Sequence, residues 1–240
     1  MIFEEPLLTG RLIRRYKRFL ADVILDDGRR VTVHAANSGS MLGCAVPGMR
    51  VAVSPQDRPE RKLKWTWELV EVADAWVAIH TGRSNGIVAE AIEAGRIGPL
   101  RGYPSLRREV AYGRGGRSRV DLLITGHSQR PDCYVEVKNV TLRIDEGRAR
   151  WARFPDAVTV RGAKHLEDLR DVVRAGGRAV IFFLVNRPDC SRLGPAAHID
   201  PHYALLLREV MGQGVEALAY RTRPSLSGIE VDRPLPIMLE

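Results

Sequence analysis

Glu136 and Lys138 lie two residues apart in Tyr134-Val-Glu-Val-Lys-Asn-Val140, and a lone acid, Asp121, interrupts the apolar run Arg119-Val-Asp-Leu-Leu-Ile124. An extended chain repeats every two residues, so Glu136 and Lys138 project from one face of a strand. Pairing residues 119–125 with 133–138 as a hairpin, Asp121 opposite Glu136, brings the two Cβ atoms within roughly 4.5–5.5 Å. Two carboxylates and an ammonium then converge. Like charges that close call for a cation between them or a raised pKa. Oxygen ligands completed by water suit Mg²⁺ or Mn²⁺, ions that hold a phosphate and activate water. The competing reading is a solvated or register-fixing ion network, since Glu-x-Lys is a common tripeptide. Against it stands the setting, because charges inside valine- and leucine-rich strands are costly unless compensated.

The elements that must position these groups fall into two parts. Up to residue 81 the chain reads as β-rich: residues 20–25, an Asp-Asp-Gly turn at 26–28, and 30–35 form a strand–turn–strand signal, followed by strands at 50–54, 63–72 and 75–80. Such a run of short strands suggests a small closed barrel of the OB type. In residues 61–69, Leu63, Trp65, Trp67 and Leu69 share one face and Lys62, Lys64, Thr66 and Glu68 the other, so the tryptophans read as core. From residue 82 the pattern changes. Ser84 or Asn85 caps a helix ending near Gly95, strands follow at 108–112, 119–125 and 133–140, and residues 142–157 form a long polar connection. A helix over 161–175 with Leu166, Leu169, Val172 and Val173 on one stripe precedes a buried strand at 179–185. Asp200 caps a helix over 201–211, a final strand lies at 215–220, and the tail 224–240 packs back irregularly. The second part has the order α-β-β-β-α-β-α-β, which resembles the restriction-endonuclease-like core, so the expected fold is mixed α+β and α/β, with an OB-like barrel over 1–81 and a restriction-endonuclease-like domain over 82–240.

The net charge of +8 favours a polyanionic partner, and 101–119 alone holds six arginines against one acid, Glu109. The alternative is coding bias, since 32 of the 37 cations are arginine. Three scattered cysteines, with no Cys-x-x-Cys or His-Glu-x-x-His, argue for a reducing compartment and against zinc. No apolar run approaches the ~20 residues of a membrane span and the start of the chain is acidic, so a cytoplasmic location without membrane partners is expected.

Several blocks together are more specific than Glu-x-Lys. They are Asn37-Ser-Gly-Ser-Met-Leu-Gly43, Arg61-Lys-Leu-Lys-Trp-Thr-Trp-Glu-Leu-Val70, Ser118-Arg-Val-Asp121, Tyr134-Val-Glu-Val-Lys-Asn-Val-Thr-Leu142, the run from Phe154 to Leu166, and Ile199-Asp-Pro-His-Tyr203. In this order they resemble the bacterial sugar fermentation stimulation protein family over nearly the whole chain. The resemblance implies an OB-like domain joined to a nuclease-like domain of the PD-(D/E)xK type, and binding of single- or double-stranded DNA without strong sequence preference. Asp121 and Glu136 would be metal ligands, aided by the Val137 carbonyl. Lys138 would orient or activate the attacking water. Glu90 is a candidate further carboxylate, with an exposed helix position as the alternative.

Arg161, Lys164 and His165, at a helix N-terminus, are candidate phosphate contacts; the alternative is a solvated helix face. Arg119 is placed to bridge Glu136 or touch DNA. Arg114 and Arg117 sit in a glycine-rich turn that lacks a Gly-Lys-Ser/Thr ending. The expected function is a Mg²⁺- or Mn²⁺-dependent nuclease with Asp121, Glu136 and Lys138 as its catalytic groups. The alternative is a non-catalytic DNA-binding regulator of sugar-metabolism genes that retains the fold. A homodimer is a further expectation, and sugar binding rests on the family name alone.

Overall fold

A computed structural model describes residues 1–56, 60–113, 118–146 and 149–239. Six strands open the chain: β1 (Leu8–Tyr16), β2 (Leu20–Leu25), β3 (Arg30–Ala35), β4 (Arg50–Pro55), β5 (Trp65–Val72) and β6 (Ala75–Ala78). They run in the order β3-β2-β1-β4-β5-β6, and a parallel β3–β5 pairing closes five of them into a barrel. Closure removes the free sheet edges that a short-stranded domain otherwise leaves exposed. Leu12, Val23, Val33, Val51, Val53 and Trp67 fill the interior. Gly10 is needed where β1 crosses β2, because a Cβ there would run into the Ile24 carbonyl.

The strand over 65–72 departs from simple alternation. A register shift opposite Ala52 and Val53 sets Glu68 apart as an extra residue between Trp67 and Leu69. Trp67 therefore stays in the barrel core, whereas Leu69 joins the core of the second domain. The expected polar face is not a solvated one: Thr66 and Glu68 are both buried. Glu68 accepts from Ser54 Oγ (2.8 Å) and from Arg83, 2.6 and 2.7 Å away in the turn that leads into the second domain.

The rest of the chain runs α1 (Ser84–Glu93), β7 (Ser105–Tyr112), β8 (Ser118–Thr125), β9 (Cys133–Val140), β10 (Arg143–Glu146), β11 (Ala149–Phe154), α2 (Val160–Arg174), β12 (Arg178–Val185), β13 (Arg192–Pro195), α3 (Pro201–Gly212), β14 (Glu216–Ser225) and β15 (Gly228–Pro234). Its main sheet has the order β15-β14-β12-β9-β8-β7. β12 runs parallel to both neighbours, and the outer pairings are antiparallel. Such a mixed sheet, central strands parallel and buried, follows from the apolar run Arg178–Val185, in which every residue after Arg178 is buried. One face packs under α1 through Val135, Val137, Phe182 and Leu184. The other packs under α2 and α3 through Ile181, Phe183, Leu166, Leu169 and Tyr203.

Residues 142–157, expected as a polar connection, are not structureless: β10 and β11 form a hairpin that β13 joins in parallel as a small second sheet. Nor is the tail irregular throughout, because β15 pairs antiparallel with β14. The caps divide. Thr159 accepts from Gly162 N at the start of α2, and Asp200 accepts from Tyr203 N at the start of α3. Neither Ser84 nor Asn85 caps α1, where Arg83 holds the N-cap position without a side-chain bond.

Candidate metal and phosphate site

β8 and β9 pair through Leu122–Val135, Leu123–Tyr134 and Ile124–Cys133, and the same register carried one residue further sets Asp121 against Glu136. The ladder stops there, and Asp121 Oδ2 instead accepts from the Val137 backbone N–H at 2.7 Å. Glu136 and Lys138 lie beside Ile181 and Phe183 of β12, on the face covered by α2. That helix lowers His165 onto them. His165 Nδ1 donates to Glu136 Oε1, and Lys138 Nζ donates to the same oxygen at 2.8 Å. Arg161 Nε lies 3.3 Å from His165 Nε2, so Nε2 is the accepting nitrogen and the proton belongs on Nδ1. The other Glu136 oxygen, Oε2, is buried without a partner among the described residues.

Electrostatics separates the two carboxyls. Burial pushes Glu136 up, but the His165 hydrogen bond and the Lys138 charge more than offset it, leaving Glu136 below the ordinary carboxylate range. Asp121 goes the other way: burial and the neighbouring Glu136 charge hold it above that range, against the Val137 N–H and the Asn85 amide. One acid is already paired with a cation, Lys138, and the other is not.

These groups line a cleft of about 480 Å³ shared by both domains. Its far wall is the barrel loop at Asn37–Gly39, held from behind by Arg15, which donates to the carbonyls of Asn37 (2.8 Å), Gly39 (3.0 Å) and Ser40 (3.3 Å). Across the cleft Asp156 accepts from Ser40 Oγ (2.9 Å) and Met41 N (3.3 Å). Gly39 permits that approach, since a Cβ would stand 2.9 Å from Asp156 Oδ2.

The sequence-derived residues divide accordingly. Asp121, Val137, Glu136 and Lys138 come together, with His165 beside them and Arg119 and Arg161 on the cleft wall. Val137 meets Asp121 through its N–H. Arg119 does not bridge Glu136; it donates to the Glu109 carbonyl at 3.2 Å. Lys164 turns away from the cleft to Ser118 Oγ (2.8 Å) and Asp168 (3.1 Å). Glu90 does not reach the site: it pairs with the Met1 ammonium at 2.8 Å. Arg114 and Arg117 lie outside the described residues.

The helix preceding the sheet contributes Asn85 instead of Glu90, its Nδ2 donating to Asp121 Oδ1 at 2.8 Å and to Glu109 Oε1 at 3.0 Å. Asn139, which accepts from Ser84 Oγ and Asn186 Nδ2, was equally unforeseen. The only signal for Asn85 is its position: a polar side chain in the first turn of a helix that it does not cap.

Known proteins share this architecture. Residues 13–79 match the SfsA N-terminal OB domain, and residues 82–228 match the sugar fermentation stimulation protein RE domain. The chain belongs to the sugar fermentation stimulation protein family. It is 55% identical over 239 residues to a sugar fermentation stimulation protein homolog of Paramagnetospirillum magneticum, covering 100% of this chain and 98% of the other. A homolog of Pelobacter propionicus is 56% identical over 98% of both chains. The solved structure of Pyrococcus furiosus SfsA in complex with Ca²⁺ has a TM-score of 0.86 at 29% identity and covers 99% of this chain and 98% of its own. The OB barrel and the mixed-sheet domain are thus the architecture of the family. No helix among the described residues of this member is long and apolar enough to cross a membrane.

Proposed function

We propose that this chain is a divalent-metal-dependent nuclease acting on DNA with low sequence selectivity. The observation that carries the reading is the meeting of Asp121, Glu136 and Lys138 in one cleft, with Glu136 Oε2 buried and, among the described residues, unpartnered. The donor set fits a hard cation. Among the described residues no three His, Cys, Asp or Glu groups enclose an ion, so this is no all-protein cage. Mg²⁺ and Mn²⁺ need none, because they keep several waters and take one or two carboxylates plus substrate phosphate. Asp121 and Glu136 would hold the ion with the Val137 carbonyl, and the complex of the Pyrococcus furiosus relative with Ca²⁺ supports cation binding within the family. Such an ion supplies charge neutralisation at the phosphate and a more acidic water.

The chain's own side chains do the rest. Lys138 stands 2.8 Å from Glu136 and brings positive charge to the phosphate and its attacking water. Arg161 and Arg119, exposed on the cleft wall, seat flanking phosphates, and the net charge of +8 draws the polyanion in. His165 fixes the Glu136 carboxylate through Nδ1. Incubation of the purified protein with single- and double-stranded DNA and Mg²⁺ or Mn²⁺ should give cleavage that Glu136→Gln and Lys138→Ala abolish. Intact DNA under every such condition refutes catalysis.

One observation favours a second reading, a DNA binder that does not cut. Lys138 and His165 already compensate Glu136 Oε1, so the carboxylate is stable without an ion. On that reading binding weakens steeply with salt and the triad substitutions leave it intact.

A further inference from the structure

Nine large apolar side chains are exposed among the described residues, and three of them flank the point where the two domains touch beside the cleft. There Asp156 accepts from Ser40 Oγ and Met41 N. Leu42, 56% exposed, follows Met41 on the barrel side, and Val158 and Val160, 71% and 82% exposed, follow Asp156 on the other. The two valines alternate with residues that face inward, since Asp156, Thr159 and Arg161 all line the cleft. Apolar side chains exposed singly need no explanation, but several at the rim of a polar cleft mark a contact surface.

These side chains are held outward by the loop that carries them. Asp156 is tied to the barrel, and Thr159 is tied twice: its N–H donates to Asp200 Oδ2 at 2.9 Å and its Oγ1 accepts from Gly162 N at 3.0 Å. Asp200 is 4% exposed and also accepts from Tyr203 N, so the anchor is part of the fold. With Asp156 and Thr159 pinned on either side, Val158 stays in solvent. Val160, the first residue of α2, stays outside the face that buries Ala163, Leu166 and Leu169. Folding of the chain does not call for valine at either position, because a β-branched residue is a mediocre helix former and its burial here is slight. The apolar surface is therefore preformed, and covering it is left to a ligand.

The cleft indicates what covers it. Phosphates seated by Lys138, Arg119 and Arg161 bring the attached bases to the neighbouring wall, and a phosphate laid on the valines would lose its water without gaining a partner. A base face loses little by the same contact, since apolar side chains pack against unstacked bases. An intact duplex cannot offer those faces, because it exposes base edges in its grooves and keeps the faces stacked. We infer that Leu42, Val158 and Val160 form a rim that receives unstacked bases, so that the site takes unpaired DNA strands in preference to duplex. The inference rests on the reading of the cleft as a DNA site given above.

The test separates base contact from charge. Binding of the full chain is read by fluorescence anisotropy, at one salt concentration and with Ca²⁺ as the only divalent ion. The labelled probes are an oligothymidylate, an abasic strand of the same length and a duplex of that length. Oligothymidylate should bind roughly tenfold tighter than the abasic strand, toward the low end of what contact with a base contributes. It should also bind tighter than the duplex, although the duplex carries more charge. Val158→Ser with Val160→Ser should bring oligothymidylate within about twofold of the abasic strand and leave the abasic strand unchanged, whereas Val158→Phe should tighten oligothymidylate by a few fold. Circular dichroism checks that each variant is folded. Equal binding of oligothymidylate and abasic strand by the wild type, or a duplex bound as tightly as the single strand, overturns the rim and leaves the DNA reading standing. So does a serine variant that keeps every affinity but turns a dimer into monomers in sedimentation, which would give the rim to a second copy of the chain. Binding of no probe at all overturns both.

Discussion

Replacing Lys138 by methionine in the presence of chelator tests how the site is balanced. The Glu136 side chain is 3% exposed and that of Lys138 10%, with 2.8 Å between charges. At an effective dielectric constant near 20 their attraction is about 6 kcal/mol, against desolvation of several kcal/mol for each ion. The pair is thus close to break-even as a unit, yet neither half can be removed cheaply. Deleting one partner of a buried pair costs about 3–5 kcal/mol; Lys138→Met falls near the lower bound, about 3, because His165 still donates to Glu136. For a chain of this size that is a fall of roughly 6–12 °C in Tm.

Glu136→Gln leaves a lysine whose side chain is only 10% exposed without its partner and should also cost about 3 kcal/mol, while Glu136→Gln with Lys138→Met should return to within about 1 kcal/mol of wild type. Equilibrium unfolding of the four proteins in guanidinium with EDTA measures the coupling. Adding Mn²⁺ should restore part of the Lys138→Met loss, up to about 2.7 kcal/mol at a hundred times its Kd. A Lys138→Met protein within about 0.5 kcal/mol of wild type, or a double variant as weak as its two parents combined, refutes the reasoning.

Four further outcomes are expected. Without cation, Asp121→Asn should gain stability relative to wild type as pH rises above about 4, because a carboxyl with a raised folded pKa stabilises below its unfolded value and loses that contribution as pH rises through the folded one. Glu136 has the opposite sign, stabilising above about 4.3 and losing this as pH falls through its depressed folded value; acid unfolding of Glu136→Gln should lack that step. Arg83→Ala leaves Glu68, 0% exposed, without its cation and should cost about 3–5 kcal/mol, largely recovered by Glu68→Gln in the same chain; chemical denaturation reads both. Arg161→Ala should lower the slope of log affinity for DNA against log salt by about one, in filter-binding titrations; an unchanged slope removes Arg161 as a phosphate contact.

The central chemistry was legible because period-two strands carry their own geometry. Once Leu122 and Val135 are paired, the position of Asp121 relative to Glu136 follows by counting. What escaped the sequence depended on exceptions to counting. The shift at Glu68 sends Leu69 into the second domain, and buried Thr66 and Glu68 look like any solvated polar stripe until Arg83 arrives from elsewhere in the chain. Residues 142–157 looked polar because Arg143 and Arg153 spend their charge on Asp145, on Glu146 and, from the loop before β13, on Asp189, and no local pattern reveals a partner 46 residues away. Asn85 reads as a cap because asparagine at the start of a helix usually is one. Glu90 shares its helix with Asn85 but meets the chain terminus, five residues further along.

The cleft is built by two domains, and their contacts explain why the acids can be tolerated there. Arg15 of β1 fastens the Asn37–Ser40 turn from the barrel side, and Asp156 grips Ser40 and Met41 from the other side. Glu68 with Arg83 locks the hinge between them, the pair buried on the acid's side. None of these bonds touches Asp121 or Glu136, yet all of them hold the cleft walls at fixed separation. That rigidity lets Asp121 sit beside Glu136 and Glu109 without the sheet opening to relieve the repulsion. The electrostatic cost is held in the folded chain, and it falls when positive charge enters the cleft from solvent. Cation uptake should therefore raise the stability of both domains together, because the hinge makes the cleft a property of the pair.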